Sequence, residues 1–249
     1  MNSLIDQIYS TGKTLAPDGT VYDIFPAAIK RPEGEAIYHL VRTLKPRATL
    51  EVGMAWGLSS LFICQALRDN AAPAHHTAID PFQVHGFHSQ ALHNLSKAGL
   101  SDLLTFIEEP SQTALASLVK AQAHFDFMFI DGCHLFDGAF VDFYFADLLL
   151  PVGGHLVFDD LWMPAVRKVL AFILTNRNYQ IAETLLPPLG DLPAAQAQDR
   201  AYQLKKKNEG KSDHGTPPES TFHLYRNINW TVLQKVSADQ RPWDHFVAF

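Results

Sequence analysis

The stretch FDFMFIDGCHLFDGAFVDFYFADLLLPVGGHLVFDD, residues 125–160, determines the fold that we predict for this chain. Its first part, 125–131, is a nearly continuous apolar run that ends in an acid, which is typical of a strand buried on both faces. A segment of helical length follows at 139–150 and stops at Pro151 and the Gly153-Gly154 pair. Residues 155–159 form a second apolar run that again ends in an acid. The order strand, helix, strand predicts two parallel strands joined by a crossover helix.

The same alternation extends in both directions from this stretch. Strands that alternate with helices predict an α/β fold of the Rossmann-like, doubly wound type, in which helices cover both faces of a mostly parallel sheet. Two further strands at 179–186 and 221–226 bring the predicted sheet to seven strands. The remaining predicted strands are 48–52, 76–80 and 103–108, and the remaining predicted helices are 59–67, 88–97, 113–121 and 164–175.

The sequence predicts a lead-in followed by a main domain. Residues 1–47 are predicted as a helical lead-in, because apolar positions recur at helical spacing after Pro32 and because Pro46 ends the helix. Residues 48–249 are predicted as the main domain. Within it, 187–220 is rich in Pro, Ala, Gln, Lys and Gly and is interpreted as an insertion. A lid, a dimer contact and a disordered segment are the interpretations that the sequence leaves open for this insertion.

The bulk composition limits the class of protein. The chain has 249 residues, of which 47% are hydrophobic, so it can bury a large core. Its formal net charge of −6 argues against nucleic acid as a partner, because phosphate binding needs a concentrated basic face. Two widely separated cysteines, Cys64 and Cys133, do not form a disulfide framework. The N-terminus does not read as a secretory signal and no apolar run is long enough for a membrane span, so the sequence predicts a cytoplasmic protein without a membrane partner.

Acidic side chains stand at the ends of the predicted strands. Asp80, Glu108, Asp131 and Asp159 each close an apolar run, and Asp160 follows directly. In an open α/β sheet, ligands bind outside the carboxyl ends of the strands. A single acid of this kind could instead cap the next helix by accepting hydrogen bonds from its free amide groups. An acid at every one of these ends favours a binding site.

The loop after the strand at 48–52 completes the sequence EVGMAWG, residues 51–57. Its glycines, Gly53 and Gly57, allow a tight turn and the close approach of a ligand. Their spacing is G-x-x-x-G, whereas a dinucleotide site has G-x-G-x-x-G. Trp56 makes the loop bulky and Glu51 precedes it, which suits a cationic ligand without phosphates. An ordinary strand-to-helix turn can have the same pattern, so the loop alone leaves its ligand open.

Together these motifs resemble those of the class I, S-adenosylmethionine-dependent methyltransferases. The resemblance rests on LEVGMAWGLSSLFICQAL (residues 50–67), AIDPFQ (78–83) and the stretch quoted first. It covers residues 33–175 and is closest to the branch that contains catechol O-methyltransferase-like and related small-molecule O-methyltransferases. The Pro-Gly-Gly of the family is one residue longer here, at 151–154. The resemblance implies that the final strand of the sheet, assigned to 221–226, runs antiparallel.

The resemblance also implies how the cofactor S-adenosylmethionine is bound. Glu51 and Gly53 would line its methionine part, and Ser59 would hydrogen-bond its carboxylate. Asp80 would bind the ribose hydroxyls. Asp131 would lie near the sulfonium, whose positive charge it would stabilise. The residues implied to frame the adenine are Glu109, Ser111 and Gln112.

A further set of residues is implied to act on the methyl acceptor. In the metal-dependent branch of the family, three oxygen ligands hold a divalent cation, and the matching residues are Asp131, Asp159 and Asp160. Carboxylates favour hard cations such as Mg²⁺, although the catechol enzymes have an amide in place of Asp160. His134 is implied to be the base that takes the proton of the acceptor, so His134 and Asp131 are the predicted catalytic residues. In the metal-free alternative, Asp160 caps the helix at Pro164, Asp131 only orients the cofactor, and His134 is bonded into its loop.

The sequence therefore predicts an enzyme that transfers the methyl group of S-adenosylmethionine to a hydroxyl of a small molecule, with help from a divalent metal, from His134 or from both. Three alternatives stay open. They are a metal-independent or N-directed methyltransferase on the same fold, a non-catalytic S-adenosylmethionine-binding protein, and an NAD-type oxidoreductase, against which the glycine spacing counts. A small-molecule acceptor is the predicted partner, and a homodimer is one assembly that the sequence allows.

Overall fold

The computed structural model describes residues 2–182, 185 and 229–249. Its strands are β1 (Lys13–Leu15), β2 (Val21–Asp23), β3 (Ala48–Val52), β4 (His75–Ile79), β5 (Leu104–Ile107), β6 (Phe127–Ile130), β7 (His155–Phe158), β8 (Tyr179–Ile181) and β9 (Thr231–Lys235). Its α-helices are α1 (Ser3–Thr11), α2 (Arg31–Leu44), α3 (Leu58–Asn70), α4 (Gln90–Lys97), α5 (Ser111–Lys120), α6 (Phe136–Leu149) and α7 (Pro164–Asn176). No helix in the described ranges has the length and apolar character that a bilayer span requires.

The main sheet has seven strands in the order β5-β4-β3-β6-β7-β9-β8. β3, β4 and β5 pair in parallel, whereas β9 pairs antiparallel with both β7 and β8. The predicted fold class, a Rossmann-like, mostly parallel seven-stranded sheet with one antiparallel strand and flanking helices, is confirmed. The antiparallel strand seen in the structure is Thr231–Lys235. The strand predicted at 221–226 and the insertion predicted at 187–220 lie outside the described residues.

Contacts along the chain group it into two compact units, residues 1–128 and 129–249. The first unit contains β3, β4 and β5 together with the loop at 51–57. The second contains β7, β8 and β9. The division into a lead-in at 1–47 and a main domain at 48–249 stays a prediction.

In the first unit, α2 packs against α3, the helix that follows the 51–57 loop. Pro32 lies in the first turn of α2, as predicted, and the Glu33 carboxylate accepts a hydrogen bond from the Lys30 backbone N–H at 2.7 Å. Gly34 lies at the contact between the helices, because a Cβ there would be 2.0 Å from the ring of Phe62 on α3. The helices approach this closely because residue 34 has no side chain.

The lead-in also contains a two-stranded hairpin of β1 and β2, which was not predicted. Gly12 ends the preceding helix α1 in the left-handed region at φ 66°. A signal for the hairpin turn was present, since Pro17-Asp18-Gly19 is a typical turn sequence. Asp18 Oδ1 accepts a hydrogen bond from the Thr20 N–H at 2.9 Å. The strands are only three residues long, too short to show an alternation of apolar and polar residues.

In the second unit, buried ion pairs attach β9 to α6. Asp147 of α6 is 3% exposed, and its Oδ1 lies 3.1 Å from Lys235 Nζ of β9. The same carboxylate accepts a hydrogen bond from the Tyr179 hydroxyl at 2.7 Å and pairs with Arg177. Lys235 Nζ also donates to the carbonyls of Asp147 and Leu150. Because an unpaired buried charge is strongly destabilising, these bonds favour a single register of β9.

We predict that Gly34→Ala destabilises the protein, although alanine is usually the better helix former by about 1 kcal/mol. The added methyl group would overlap the Phe62 ring, and overpacking of this kind costs roughly 1–3 kcal/mol. Urea unfolding followed by circular dichroism measures the change in the free energy of unfolding. In a Phe62→Leu background, where the ring is absent, Gly34→Ala should cost less. An equal cost in both backgrounds would show that the contact with Phe62 is not the cause.

Candidate cofactor loop and acidic cluster

The predicted strand-end acids lie directly beyond the carboxyl ends of their strands. Asp80 follows β4, Glu108 follows β5, Asp131 follows β6 and Asp159 follows β7. In the first unit, Asp80 accompanies the loop at 51–57, which leads from β3 to α3. In the second unit, Asp131 belongs to another group of polar side chains, and Asp159 has partners of its own.

The loop at 51–57 requires glycine at two positions. Gly53 has φ 89° and Gly57 has φ 81°, a left-handed conformation that glycine adopts without strain. A Cβ at Gly57 would also be 2.8 Å from the Cβ of Ala91 on α4. Ala55, between the glycines, has a positive φ of 45° as well. The G-x-x-x-G spacing therefore follows from the turn itself and from the close approach of α4.

The carboxylate of Asp80 holds this loop in shape. The side chain is almost fully buried, and Oδ2 accepts hydrogen bonds from the backbone N–H of Met54 at 3.0 Å and of Ala55 at 2.8 Å. Oδ2 also accepts from Gln83 Nε2 at 3.1 Å, and Oδ1 accepts from the Phe82 N–H at 2.7 Å. The residue predicted to bind the ribose thus also organises the loop. Its contact with a ribose stays a prediction.

Glu51, near the end of β3, belongs to a fully buried polar group. Its Oε2 accepts a hydrogen bond from the Ser60 hydroxyl and lies 3.2 Å from His76 Nε2. Ser59, the serine predicted to bind the cofactor carboxylate, is also buried, but its neighbour Ser60 is the one that contacts Glu51. The predicted role of Ser59 stays a prediction.

Two buried oxygen atoms in this region accept no hydrogen bond from the described part of the chain. They are Oε1 of Glu51 and Oε1 of Gln83. The amide nitrogen of Gln83, in contrast, donates to the Ala55 carbonyl at 2.7 Å. A buried acceptor without a donor costs about 1–3 kcal/mol. Both atoms would therefore be stabilised by a ligand that carries hydrogen-bond donors.

Trp56 joins the loop to the N-terminal hairpin through aromatic contacts that were not predicted. Its ring stacks on Tyr22 of β2 with the centroids 5.4 Å apart and meets Phe87 edge-on at 5.1 Å. Tyr22 stacks in turn on His88 at 4.8 Å. These partners are distant in the chain, so no local pattern could have revealed them.

In the second unit, the structure brings Asp131, His134 and Asp160 together. One ligand atom of each lies within 4.8 Å of the others. His134 Nε2 is 3.3 Å from Asp131 Oδ1 and 2.8 Å from Asp160 Oδ2. Trp162 Nε1 donates to Asp160 Oδ1 at 2.6 Å. Asp160 has a left-handed backbone with φ 56°, which is uncommon for a residue other than glycine and concentrates at functional sites.

The surroundings of His134 favour its protonated form. Desolvation by itself would lower the pKa of the imidazole, but the bonds and charges of Asp131 and Asp160 outweigh it and raise the pKa to about 10. A proton on Nε2 would point towards the two carboxylates. The predicted role of His134 as a base requires the neutral ring, so that role stays a prediction.

Asp159 lies outside this cluster. It is 4% exposed, and its Oδ1 accepts hydrogen bonds at 2.8 Å from Asn229 Nδ2 and from the Asp160 backbone N–H. The predicted metal ligands were Asp131, Asp159 and Asp160, whereas in the structure His134 stands with Asp131 and Asp160. Both acids lie beyond the end of β7, and the backbone enters the left-handed region at Asp160, so the adjacent acids need not share a site. Metal binding stays a prediction.

Ser111, the residue predicted to contact the adenine, is the first residue of α5 and is half-buried. Ser111 therefore lies in the connection between the end of β5 and the start of α5, shortly after Glu108. The roles of Ser111, Glu109 and Gln112 at the adenine stay predictions.

The chain resembles known methyltransferases in sequence. Residues 50–161 match the sequence profile of a family described as "Methyltransferase domain". The chain is 30% identical to a caffeoyl-CoA O-methyltransferase of Populus kitakamiensis over 141 residues, which are 55% of this chain and 56% of that protein. The chain thus spans about half the length of the curated relatives it matches.

Solved structures share the fold at lower identity. The O-methyltransferase from Bacillus cereus, solved in complex with SAH, has a TM-score of 0.60 and 16% identity over 73% of this chain and 83% of its own. The O-methyltransferase TomG from Streptomyces achromogenes, solved in complex with SAM, has a TM-score of 0.52 and 18% identity over 95% of this chain and 91% of its own. The resemblance predicted from the sequence, to class I O-methyltransferases, is confirmed, and the family profile covers residues 50–161.

We predict that Asp80→Ala loosens the 51–57 loop. Met54 and Ala55 both donate to Oδ2 of Asp80, and alanine has no acceptor to replace that oxygen. Hydrogen exchange measured by NMR or mass spectrometry should therefore show faster exchange at these two amides. Unchanged protection would contradict the role of Asp80.

Asp126→Ala is the matched control for this experiment. Asp126 Oδ2 also accepts from two backbone N–H groups, of Arg47 at 2.8 Å and of Ala48 at 3.0 Å, which precede the loop. It should leave exchange at Met54 and Ala55 unchanged.

We predict that the His134 ring is protonated at about pH 8 in metal-free protein, well above the range where an ordinary histidine titrates. Because its folded pKa of about 10 exceeds the ordinary value of 6.5, the ring stabilises the fold fully at low pH. That stability is lost as the pH rises from 6.5 towards 10. NMR of the ring nitrogens reports the protonation state, and denaturation of the wild type and His134→Gln over this range reports the stability. Titration near the ordinary value would contradict the ion pairs.

Proposed function

We propose that this chain is an S-adenosylmethionine-dependent methyltransferase that methylates an oxygen atom of a small molecule. The observation that carries the proposal is the loop at 51–57 together with two buried acceptor atoms, on Glu51 and Gln83, that receive no hydrogen bond from the described residues. Relatives named as O-methyltransferases support it, and two of the structural relatives were solved with SAH or SAM.

The chemistry of the loop fits S-adenosylmethionine better than a dinucleotide. This cofactor carries an ammonium group and two ribose hydroxyls, which can donate to Glu51 Oε1 and Gln83 Oε1. Glu51 and Asp80 favour a cationic ligand and would repel a pyrophosphate. The N-terminus of α3, which begins at Leu58, offers free N–H groups to the cofactor carboxylate.

We assign the methyl acceptor to the cluster of Asp131, His134 and Asp160. These side chains are only partly buried, so a small molecule can reach them. In the reaction, the acceptor oxygen forms a bond to the methyl carbon, the sulfur–carbon bond breaks, and sulfur keeps the electron pair. The hydroxyl proton passes to Nε2 of His134 in the fraction of molecules whose ring is neutral at the pH of the reaction. The resulting imidazolium is the form that Asp131 and Asp160 stabilise, so the two acids favour this proton transfer.

A divalent cation such as Mg²⁺ is part of the proposal. Two of the residues fit it, because the carboxylates of Asp131 and Asp160 offer oxygen ligands within 4.8 Å of one another. Asp131 and Asp160 would hold the ion beside His134, and Asp159 would orient Asp160 by accepting a hydrogen bond from the Asp160 backbone N–H. When bound, the ion would supply a positive charge that lowers the pKa of the acceptor hydroxyl.

The cellular setting and the partners complete the proposal. The thiol of Cys133 is free and exposed, which suits the reducing cytoplasm. The net charge of −6 supports a small-molecule acceptor over nucleic acid. The homodimer allowed by the sequence stays a prediction.

Two measurements on the purified chain test the proposal. Calorimetry should detect binding of S-adenosylmethionine and S-adenosylhomocysteine but not of NADH. Incubation with methyl-labelled cofactor and a panel of phenols and amines should transfer label to a hydroxyl compound and form S-adenosylhomocysteine in equal amount. Absence of cofactor binding would overturn the assignment, and transfer to amines alone would favour the N-directed alternative.

His134→Gln separates the chemical step from cofactor binding. It should lower kcat about 10²–10⁴-fold, the usual contribution of a general base, and leave the Kd for S-adenosylmethionine unchanged. His124→Gln, at an exposed histidine outside the cluster, is the matched control. For the metal, Asp160→Asn should weaken Mg²⁺ binding measured by calorimetry without cofactor. Wild-type protein that binds no Mg²⁺ and works fully with a chelator would remove the metal from the proposal.

A further inference from the structure

We infer that His76, a buried residue of β4, is a positioning residue for Glu51 and keeps one carboxylate oxygen of Glu51 available for the cationic end of the cofactor. This role rests on the proposed function, in which Glu51 binds the methionine part of S-adenosylmethionine. Nothing in the alternation of strands and helices required a histidine at this position.

Four polar side chains form a closed group inside the first unit. Thr49, Glu51, Ser60 and His76 are all 0% exposed. Thr49 and His76 are opposite each other in the parallel pair of β3 and β4, and His76 Nδ1 lies 2.9 Å from Thr49 Oγ1. On the other side of the ring, His76 Nε2 lies 3.2 Å from Glu51 Oε2. Ser60 of α3 donates to the same Glu51 oxygen.

The hydrogen bonds of this group run from Thr49 through His76 to Glu51. An ionised carboxylate only accepts, so we assign the proton between His76 and Glu51 to Nε2. The Nδ1 of this tautomer is an acceptor 2.9 Å from Thr49 Oγ1, and we assign the Thr49 hydroxyl proton to it because the other acceptor, the His75 carbonyl, is farther away at 3.3 Å. Donors from Ser60 and His76 thus meet at Oε2 of Glu51. Its Oε1 receives no hydrogen bond from the described residues.

Two donors on one oxygen fix the rotation of the Glu51 carboxylate and therefore the direction of Oε1. A buried carboxylate oxygen without a donor is unfavourable, and a ligand ammonium would relieve that cost. A ligand that lacks donors would gain nothing at this position. His76 therefore contributes to selectivity for a cationic ligand, although it need not touch that ligand itself.

Removing the ring nitrogens tests this role. His76→Phe keeps a flat buried ring but lacks the donor to Glu51, and it should raise the Kd for S-adenosylmethionine about tenfold or more, as expected for a lost hydrogen bond to a charged group. His75→Phe is the matched control at the next residue, whose exposed ring contacts Thr105 at 2.6 Å instead. It should change the Kd less than about twofold. His76→Gln, which can still donate to Glu51, should recover part of the affinity.

A double variant separates positioning from general stabilisation. In a Glu51→Gln background, His76→Phe should weaken binding little further, because His76 acts through Glu51. Losses that multiply in the double variant would overturn the inference. NMR of the wild-type ring nitrogens supplies a test that survives if a variant fails to fold: a proton on Nε2 supports the inference, and a proton on Nδ1 alone overturns it.

Failure of this inference and failure of the proposed function give different results. Wild-type protein that does not bind S-adenosylmethionine would overturn the proposed function and the role of His76 with it. Tight binding by the wild type and equally tight binding by folded His76→Phe would overturn the role of His76 alone.

Discussion

Backbone N–H groups in a tight turn need hydrogen-bond acceptors. At the turn after β3 the Asp80 carboxylate is the acceptor. Met54 and Ala55 both donate to one oxygen of this buried side chain. The turn sets where α3 begins, α2 packs on α3 through Gly34, and Trp56 in the same turn stacks on the hairpin residue Tyr22. The loop at 51–57 therefore connects several N-terminal elements. The hairpin contacts the loop through Tyr22, and α2 contacts α3, the helix that begins where the loop ends.

The structure contains three different solutions to the problem of burying an acid. Asp80 is stabilised mainly by backbone amides, whose partial charges favour an anion without adding a full charge. Asp147 is neutralised by cationic side chains, Lys235 and Arg177. Glu51 is only half satisfied within the described part of the chain, where Oε2 has donors and Oε1 receives no hydrogen bond. The arrangement at Glu51 is the one expected at a binding site, where a ligand supplies the missing hydrogen-bond donor.

The fold was predictable from the sequence because continuous apolar runs and helical segments alternate along the chain, and each strand-end acid occupies the place that this alternation gave it. Side-chain partners were less predictable. Ser60, which the sequence did not single out, contacts Glu51, whereas Ser59 is turned from it by about 100°, one step along the helix. His134 joins Asp131 and Asp160, whereas Asp159 accepts a hydrogen bond from Asn229. Pairing of this kind depends on contacts between distant residues, which periodicity does not encode.

The position of β9 has a consequence for the order in which the protein can form during synthesis. Among the described strands, β8 is at the edge of the sheet and its partner is β9, which lies between β8 and β7 in the sheet but follows both in the chain. When the ribosome has made Ile181, β8 has no strand to pair with, and it must wait until Thr231–Lys235 has emerged. The first unit meets no such delay, because β3, β4 and β5 follow one another along the chain and pair in that order. The loop at 51–57 can therefore take shape on the nascent chain well before the last edge of the sheet closes.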